Sequence, residues 1–437
     1  MGTVTPPAYL DHASTTPMSR AAVAAYTEQL AAVGNPSSLH SSGRAARRVV
    51  EESRESIAAS LGARPSEVVL TAGGTEADNL AVKGLFWARR TGHPERTRVL
   101  VSAVEHHAVL DPAFWLAEHA GAEIVLLPVD GCGRVDLDAL AAELAAHAEQ
   151  TALVSVMWAN NEVGTVQPVA DVVRLAHAHG VPVHADAVQA VGTLPVDLAA
   201  SGLDATTVTA HKLGGPVGVG ALVVGRNVDL VPVLHGGGQE RGVRSGTLDA
   251  AGARAFAVAL AEAVAARESE AVRLAALRDE LVAGILERVP GATLRGPATD
   301  ARTADGGLAR LPGNAHLTFA GCEGDSLLYL LDSAGVEVST GSACQAGVPQ
   351  PSHVLLALGV PEHEARGALR FSLGATSTHD DVARVLEVLP GVVERARAAG
   401  LAAPARRAAA RAGSAVATAP SGGAPTAGGA PSVGGAA

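Results

Sequence analysis

Residues 151–189 read TALVSVMWANNEVGTVQPVADVVRLAHAHGVPVHADAVQ. An apolar, β-branched run gives way to a polar Asn-Asn-Glu-Val-Gly turn. An amphipathic stretch follows from Val169, and a second apolar run closes at Asp186. Strand, helix, strand is the unit whose crossover joins two parallel strands. The pattern extends in both directions. Val68–Thr71, Val99–Val104, Glu123–Pro128, Ala152–Trp158, Val181–Ala185, Ala205–Thr209 and Gly218–Val224 read as strands. Thr75–Arg90, Ala108–Ala120, Leu137–His147 and Val169–His179 read as helices, with Arg44–Leu61 a further helix ahead of them. Such alternation predicts an α/β fold, a mostly parallel sheet flanked by helices.

A long helical passage, Leu248 to about Val289, separates this region from a second alternation: His316–Phe319, a helix near Asp325–Ala334, Val336–Ser339, Ala368–Leu373 and a closing helix Asp380–Ala398. We therefore expect a large domain over 17–260 and a smaller C-terminal α/β domain over 261–400, with 1–16 packing on the small domain. In 401–437, Ala, Gly, Pro and Ser make up 29 of 37 residues, with three Arg and no acid. That composition buries too little apolar surface to offset chain entropy and predicts a disordered tail.

Composition narrows the function. Lys plus Arg total 33 against 44 Asp plus Glu, a net charge of -11, so no overall basic field attracts nucleic acid or an anionic membrane. No apolar run reaches the roughly 18 residues of a membrane span, and residues 1–10 lack the basic and apolar regions of a secretory signal; a cytoplasmic protein is expected. Cys132, Cys322 and Cys344 are an odd number, widely spaced, which argues against a disulfide framework or a zinc knuckle. No histidine spacing supports a metal site either. Only Lys83 and Lys212 are lysines, so amine chemistry has two candidates.

Lys212 lies in Thr209-Ala210-His211-Lys212-Leu213-Gly214-Gly215, after a strand and before a glycine turn that admits a ligand; a desolvated amine there can form a Schiff base. Lys83, on an amphipathic helix, reads as solvated. Asp186 closes an apolar strand, where it either caps a helix or pairs with the ring nitrogen of a pyridoxal cofactor, and Gln189 lies on the same turn. Thr71-Ala72-Gly73-Gly74-Thr75-Glu76-Ala77-Asp78 runs strand, glycine turn and helix start, with Thr75 and Asp78 spaced as a capping box and Gly73 and Gly74 open to an anion. His106 and His107 follow a strand, and one of them suits stacking on a flat cofactor or acid–base work. Cys344, in Gly341-Ser342-Ala343-Cys344, is a plausible nucleophile; Cys132 reads as a turn residue and Cys322 as packing. Arg370, on the apolar strand Ala368-Leu369-Arg370-Phe371, suits a substrate carboxylate or a structural ion pair. Gly236–Gly242 is no dinucleotide fingerprint, since no apolar helix follows it, and no P-loop is present.

Together these residues resemble the cysteine desulfurases, NifS/IscS-like members of the class V aminotransferase group of fold type I pyridoxal phosphate enzymes. The resemblance spans about residues 9–395. It rests on Leu10-Asp11 with Thr15-Thr16-Pro17, Gly34–Ser38, Gly74–Asn79, Glu105-His106, Asn160–Gly164, His184–Gln189, His211-Lys212, His235–Thr247, Ser342–Cys344 and Arg370–Ser372. It implies that Lys212 holds pyridoxal 5'-phosphate, Asp186 and Gln189 contact its ring and His106 stacks on it. By the same resemblance Gly74, Thr75, Thr209 and His211 hold the phosphate, Thr247 reaches the phosphate of the other subunit of a homodimer, and Asn161 and Arg370 bind the carboxylate of L-cysteine. The loop at Cys344 resembles the long-loop type, in which a cysteine persulfide delivers sulfur to acceptor proteins such as an iron–sulfur scaffold or a tRNA-thiolation enzyme. Selenocysteine lysis, transamination on the same scaffold and a non-catalytic assembly role are the alternatives. Cys344 argues against transamination, and Lys212 with Cys344 against an inactive scaffold.

Overall fold

The computed structural model describes residues 6–341 and 350–416, with 400–416 described by backbone alone. In chain order the strands are β1 (Ala8–Tyr9), β2 (Val68–Thr71), β3 (Arg98–Ser102), β4 (Glu123–Leu127), β5 (Thr151–Ser155), β6 (Val183–Asp186), β7 (Ala205–Thr209), β8 (Gly220–Val224), β9 (Ala292–Arg295), β10 (Asn314–Phe319), β11 (Val336–Glu337) and β12 (Ala368–Ser372).

Strands β2 to β8 form one sheet in the order β2-β8-β7-β6-β5-β3-β4. Pairing is parallel from β7 through β4, and β8 alone runs against its neighbours β7 and β2. The residues alternate between two cores, as a period of two requires. Leu100, Val154 and Val183 pack on one face with Ile57, Leu61, Phe256 and Leu260. Val99, Val101 and Leu153 pack on the other with Leu80, Phe86, Val109 and Leu116. Between β3 and β5 the strand order reverses, and open α/β sheets bind ligands in the crevice at the carboxyl ends of strands beside such a reversal.

A second, antiparallel sheet has the order β12-β10-β9. Its core holds Leu317, Phe319 and Phe371 with Leu281, Ile285, Val385, Leu389 and, from the N-terminus, Leu10. One helix, Ala250–Arg288, serves both cores: Phe256 and Leu260 lie in the first, and Leu274, Leu281 and Ile285 in the second. The expected boundary at 260/261 thus falls inside a continuous helix. The N-terminal β1 pairs in parallel with β11.

The strands and long helices fall within a few residues of their expected positions, and three local readings change. Thr75 does not cap a helix. The helix is Gly74–Arg90, its cap position is Gly73 at φ 139, and no side chain caps it; glycine's freedom at positive φ lets the chain enter the helix one residue early. Lys83 is half-buried, its Nζ 4.4 Å above the Trp115 ring, and burial lowers its pKa. The closing helix is His379–Val416, so the backbone stays helical beyond Gly400. Leu401–Ala412 is mostly Ala, Arg and Leu, the strongest helix formers, and differs from the Gly/Pro-rich stretch with which composition pooled it. Residues 417–437 lie outside the described residues. Among the described residues no helix is long and apolar enough to cross a membrane.

The loop before the long helix is fastened by a buried ion pair. Arg54 donates from Nη2 to Glu240 Oε1 at 2.6 Å and from Nη1 to Oε2 at 2.8 Å, and Oε2 also accepts from Leu70 N at 2.8 Å. Both side chains are almost fully buried. Arg54→Met should therefore cost about 3–5 kcal/mol, because it leaves the Glu240 carboxylate buried without its counter-charge. A urea midpoint matching that of the parent would contradict this.

Candidate active site

Five loops leave the carboxyl ends of β2, β3, β5, β6 and β7 and converge on one cleft of about 360 Å³. They bring Gly74 and Thr75, His106, Asn161, Asp186 and Gln189, and Thr209, His211 and Lys212 to its walls. Arg370 from β12 and Ala13 and Ser14 from the N-terminal segment complete it. Residues far apart in sequence meet here because parallel strands put all their carboxyl ends on one edge of the sheet.

Lys212 sits in a one-turn 3-10 helix after β7. Its Nζ donates to the carbonyls of Ala13 at 2.6 Å and Ser14 at 2.5 Å. Burial, reinforced by the Arg370 cation, lowers its pKa to about 8. Asp186 is the last residue of β6, and its Oδ1 accepts from Val188 N at 2.8 Å. Burial raises its pKa to about 6, which leaves it mainly ionised at pH 7.

Two further acids lie beside it. Asp78 and Glu105 are buried, and burial, with the negative charge of Asp186, pushes both well above the ordinary carboxylate range. Glu105 Oε1 accepts from Met157 N. His184 is hydrogen-bonded to Ser155 Oγ at 2.9 Å and Thr207 Oγ1 at 3.1 Å. Burial takes its pKa down to about 3, so it stays neutral and supplies no counter-cation. Negative charge in this cluster is thereby concentrated on Asp186.

Two histidines of the cleft, His106 and His211, are also neutral. His106 opens onto the cleft, yet desolvation and the Lys212 cation depress its pKa to about 4. It caps the helix His107–Ala120, its Nδ1 accepting from Ala108 N at 3.1 Å, which puts the proton of the neutral ring on Nε2. His211, 3.3 Å from Thr15 Oγ1, is likewise depressed to about 4 by burial and Lys212. Thr209 Oγ1 donates to Val219 O at 3.2 Å.

Arg370 forms the structural ion pair expected of a guanidinium on an apolar strand. It donates to Asp11 Oδ1 at 2.8 Å, to Ser14 Oγ at 2.7 Å and to Asn161 O at 3.1 Å, and it lines the cleft. Gln189 Nε2 donates to Ala13 O at 2.9 Å. Thr247 is exposed and stands outside this cleft. Cys344 lies outside the described residues, although Ser339 and Gly341, which precede it, line the cleft. Cys132 occupies a turn closed by Gly133 N to Asp130 O at 2.9 Å, and Cys322 is buried, its thiol pKa raised by desolvation.

Sequence reading assigned no role to Asp11, Glu105, Glu162 or His353 and read Asp78 only as a capping-box partner. The four acids stood within quoted motifs, and the usable signal was a carboxylate beside apolar residues. His353 carried none.

The aminotransferase class-V family model matches residues 8–385. An IscS-like cysteine desulfurase of Mycobacterium tuberculosis is 57% identical over 396 residues, covering 91% of this chain and 98% of that protein. A solved NifS-like protein aligns with a TM-score of 0.79 at 34% identity, over 89% of this chain and 99% of that one. The structure of SspA in complex with cysteine aligns at 0.69 and 33% identity, over 84% and 98%.

The lowered pKa of Lys212 has a kinetic signature. Only the neutral amine is nucleophilic, so in the cofactor-free protein labelling of Lys212 by acetic anhydride should climb about tenfold per pH unit below pH 8 and level off above it. Peptide mass mapping across pH 6–10 measures this. A Lys212 profile still climbing at pH 10, like that of a free lysine, would show that desolvation does not act on the amine.

Proposed function

We propose, for a chain that belongs to the aminotransferase class-V family and is a cysteine desulfurase, that Lys212 holds the pyridoxal 5'-phosphate of this family and that Cys344 takes the sulfur of L-cysteine. The observation that carries the reading is the meeting of a desolvated amine, a buried ionised carboxylate and a guanidinium in one cleft. The walls fit the cofactor. A Cβ added to Gly74 would come within 3.1 Å of Val188 Cγ2, so glycine keeps open the helix start where backbone N–H groups receive a phosphate. Thr75, Thr209 and His211 stand beside it in the cleft. Asp186 is the acid for the ring nitrogen, Gln189 contacts the ring, and the neutral face of His106 stacks on it.

When bound, pyridoxal phosphate would supply an electron sink for the substrate's α-carbon. The remaining work falls to the chain. Arg370, with Asn161, binds the substrate carboxylate. The Val188 N–H and the Lys212 cation hold Asp186 toward its anionic form against the effect of burial, while Asp78 and Glu105 are driven toward their neutral forms. His106, neutral and protonated at Nε2, moves protons at the reacting carbons. The Cys344 thiolate attacks the substrate Sγ. An S–S bond forms as Cβ–Sγ breaks, the electron pair stays on the carbon fragment, and that fragment takes up a proton and leaves as L-alanine. Cys344 is left as a persulfide for acceptor proteins, an iron–sulfur scaffold or a tRNA-thiolation enzyme. A homodimer, with Thr247 of each protomer reaching the phosphate of the other, completes the proposal.

Cys344→Ser should retain the yellow cofactor and bind L-cysteine but release almost no sulfide, while Cys132→Ser matches the parent. Sulfide release by Cys344→Ser at the parent's rate would overturn the assignment of the nucleophile. Arg370→Lys keeps a cation for Asp11 but loses the planar fork, and should raise the KM for L-cysteine about tenfold, the loss of one charge-assisted hydrogen bond. An unchanged KM would remove Arg370 from carboxylate binding.

A further inference from the structure

Glu162 has no part in the mechanism above. Its side chain is buried, it lines the cleft, and its surroundings link it to both ends of the segment that carries Cys344. On the C-terminal side, Ser352 Oγ donates to Glu162 Oε2 at 2.5 Å. Ser352 is itself buried, and its Oγ accepts from Leu355 N at 3.1 Å to cap the helix His353–Ala357. On the N-terminal side, Gly341 lies beside the same carboxylate: a Cβ built on it would lie 3.4 Å from Glu162 Oε2 and 3.3 Å from His316 Nε2. Gly341 holds φ +85, a left-handed conformation that glycine alone adopts without cost.

The backbone beneath Glu162 is fixed. Asn160 Oδ1 accepts from Glu162 N and from Val163 N, both at 2.9 Å. Glu162 O accepts from Asn314 Nδ2 at 2.9 Å. The preceding carbonyl, Asn161 O, accepts from Arg370. A single turn therefore holds the guanidinium and Ser352 and lies beside Gly341, the last described residue before Cys344.

We infer that Glu162 is a positioning residue, a clasp that fastens Ser352 to the turn 160–164 beside Gly341 and so sets the reach of Cys344 relative to Arg370. The inference rests on the reading that Cys344 carries the sulfur. A neutral carboxyl serves as well as an ionised one, since Ser352 needs only an acceptor, and burial does raise the pKa of Glu162. The isosteric amide should therefore substitute for it.

Two readouts test the clasp. In cofactor-free protein, Glu162→Ala should speed alkylation of Cys344 by iodoacetamide at least threefold, because one end of its segment loses its anchor, while Cys132 reacts as in the parent. In the loaded enzyme the same variant should slow single-turnover persulfide formation about tenfold, the effect of one lost buried hydrogen bond on the reacting geometry, with the Kd for L-cysteine within twofold of the parent. Glu162→Gln should restore both. Should Glu162→Ala fold poorly, Ser352→Ala carries the same expectations, and where both fold the Glu162→Ala/Ser352→Ala pair should be non-additive, because they share one interaction. Parental alkylation in Glu162→Ala, failure of Gln to restore it, or additivity of the pair would overturn the clasp. Those results leave the nucleophile assignment standing, which falls only if Cys344→Ser remains active.

Discussion

The cleft depends on a strap. Residues 8–16 belong to neither sheet's main run, yet they are hydrogen-bonded to both halves of the molecule. On one side, Leu10 N donates to Glu337 O at 2.8 Å, Ser372 N to Leu10 O at 2.7 Å and His12 N to Ser372 O at 3.1 Å. On the other, Thr16 N donates to His211 O at 3.0 Å, one residue before Lys212. Between these anchors the carbonyls of Ala13 and Ser14 receive the Lys212 amine, and Asp11 receives Arg370. The strap is therefore where the amine from the large sheet and the guanidinium from the small sheet are held in register. The continuous helix Ala250–Arg288, from the middle of the chain, also joins the two cores.

Burial does the electrostatic work around that strap. Desolvation lowers Lys212 toward a usable amine and keeps His106, His184 and His211 neutral. It also lifts Asp78 and Glu105 far enough that Asp186 keeps the charge. The same physical term thus separates the acids into one anion and two groups driven toward neutrality, an outcome that depends on how three side chains from different elements share a small volume.

This explains what was legible in the sequence. The alternation of apolar runs and 3.6-residue periods is local, so strands such as β2 and β7 and helices such as Leu137–His147 could be bounded from the sequence alone. The rarity of lysine and the glycines after it singled out Lys212. Structure that depends on distant partners was not legible. Strand β1 has two residues and exists because β11 lies beside it. Strand β9, Ala292–Arg295, alternates apolar and polar residues over only four positions, too few to mark a strand by themselves, and is held by pairing to β10. Glu105 and Glu162 look like ordinary acids until the fold buries them. The helix start at Gly74 turned on a single positive φ at Gly73, which a capping pattern cannot reveal.

The charge pattern also bears on what the cleft admits. Lys212 feels Arg370 as a like charge and Asp11 and Asp186 as opposite charges, so two cations and two carboxylates meet in one space while the neighbouring histidines stay neutral. A cleft so balanced gains little from a ligand of high net charge of either sign. It suits a small zwitterion whose carboxylate finds Arg370 and whose amine lies toward the carboxylates, and an amino acid such as L-cysteine has that distribution of charge. In the proposed assignment the phosphate of the cofactor, the one strongly anionic group to be held, would be received at the helix start at Gly74 by backbone N–H groups and not by side-chain cations. Arg370 would then be left for the substrate, and dividing anion binding between backbone and guanidinium would allow cofactor and amino acid to occupy the cleft together.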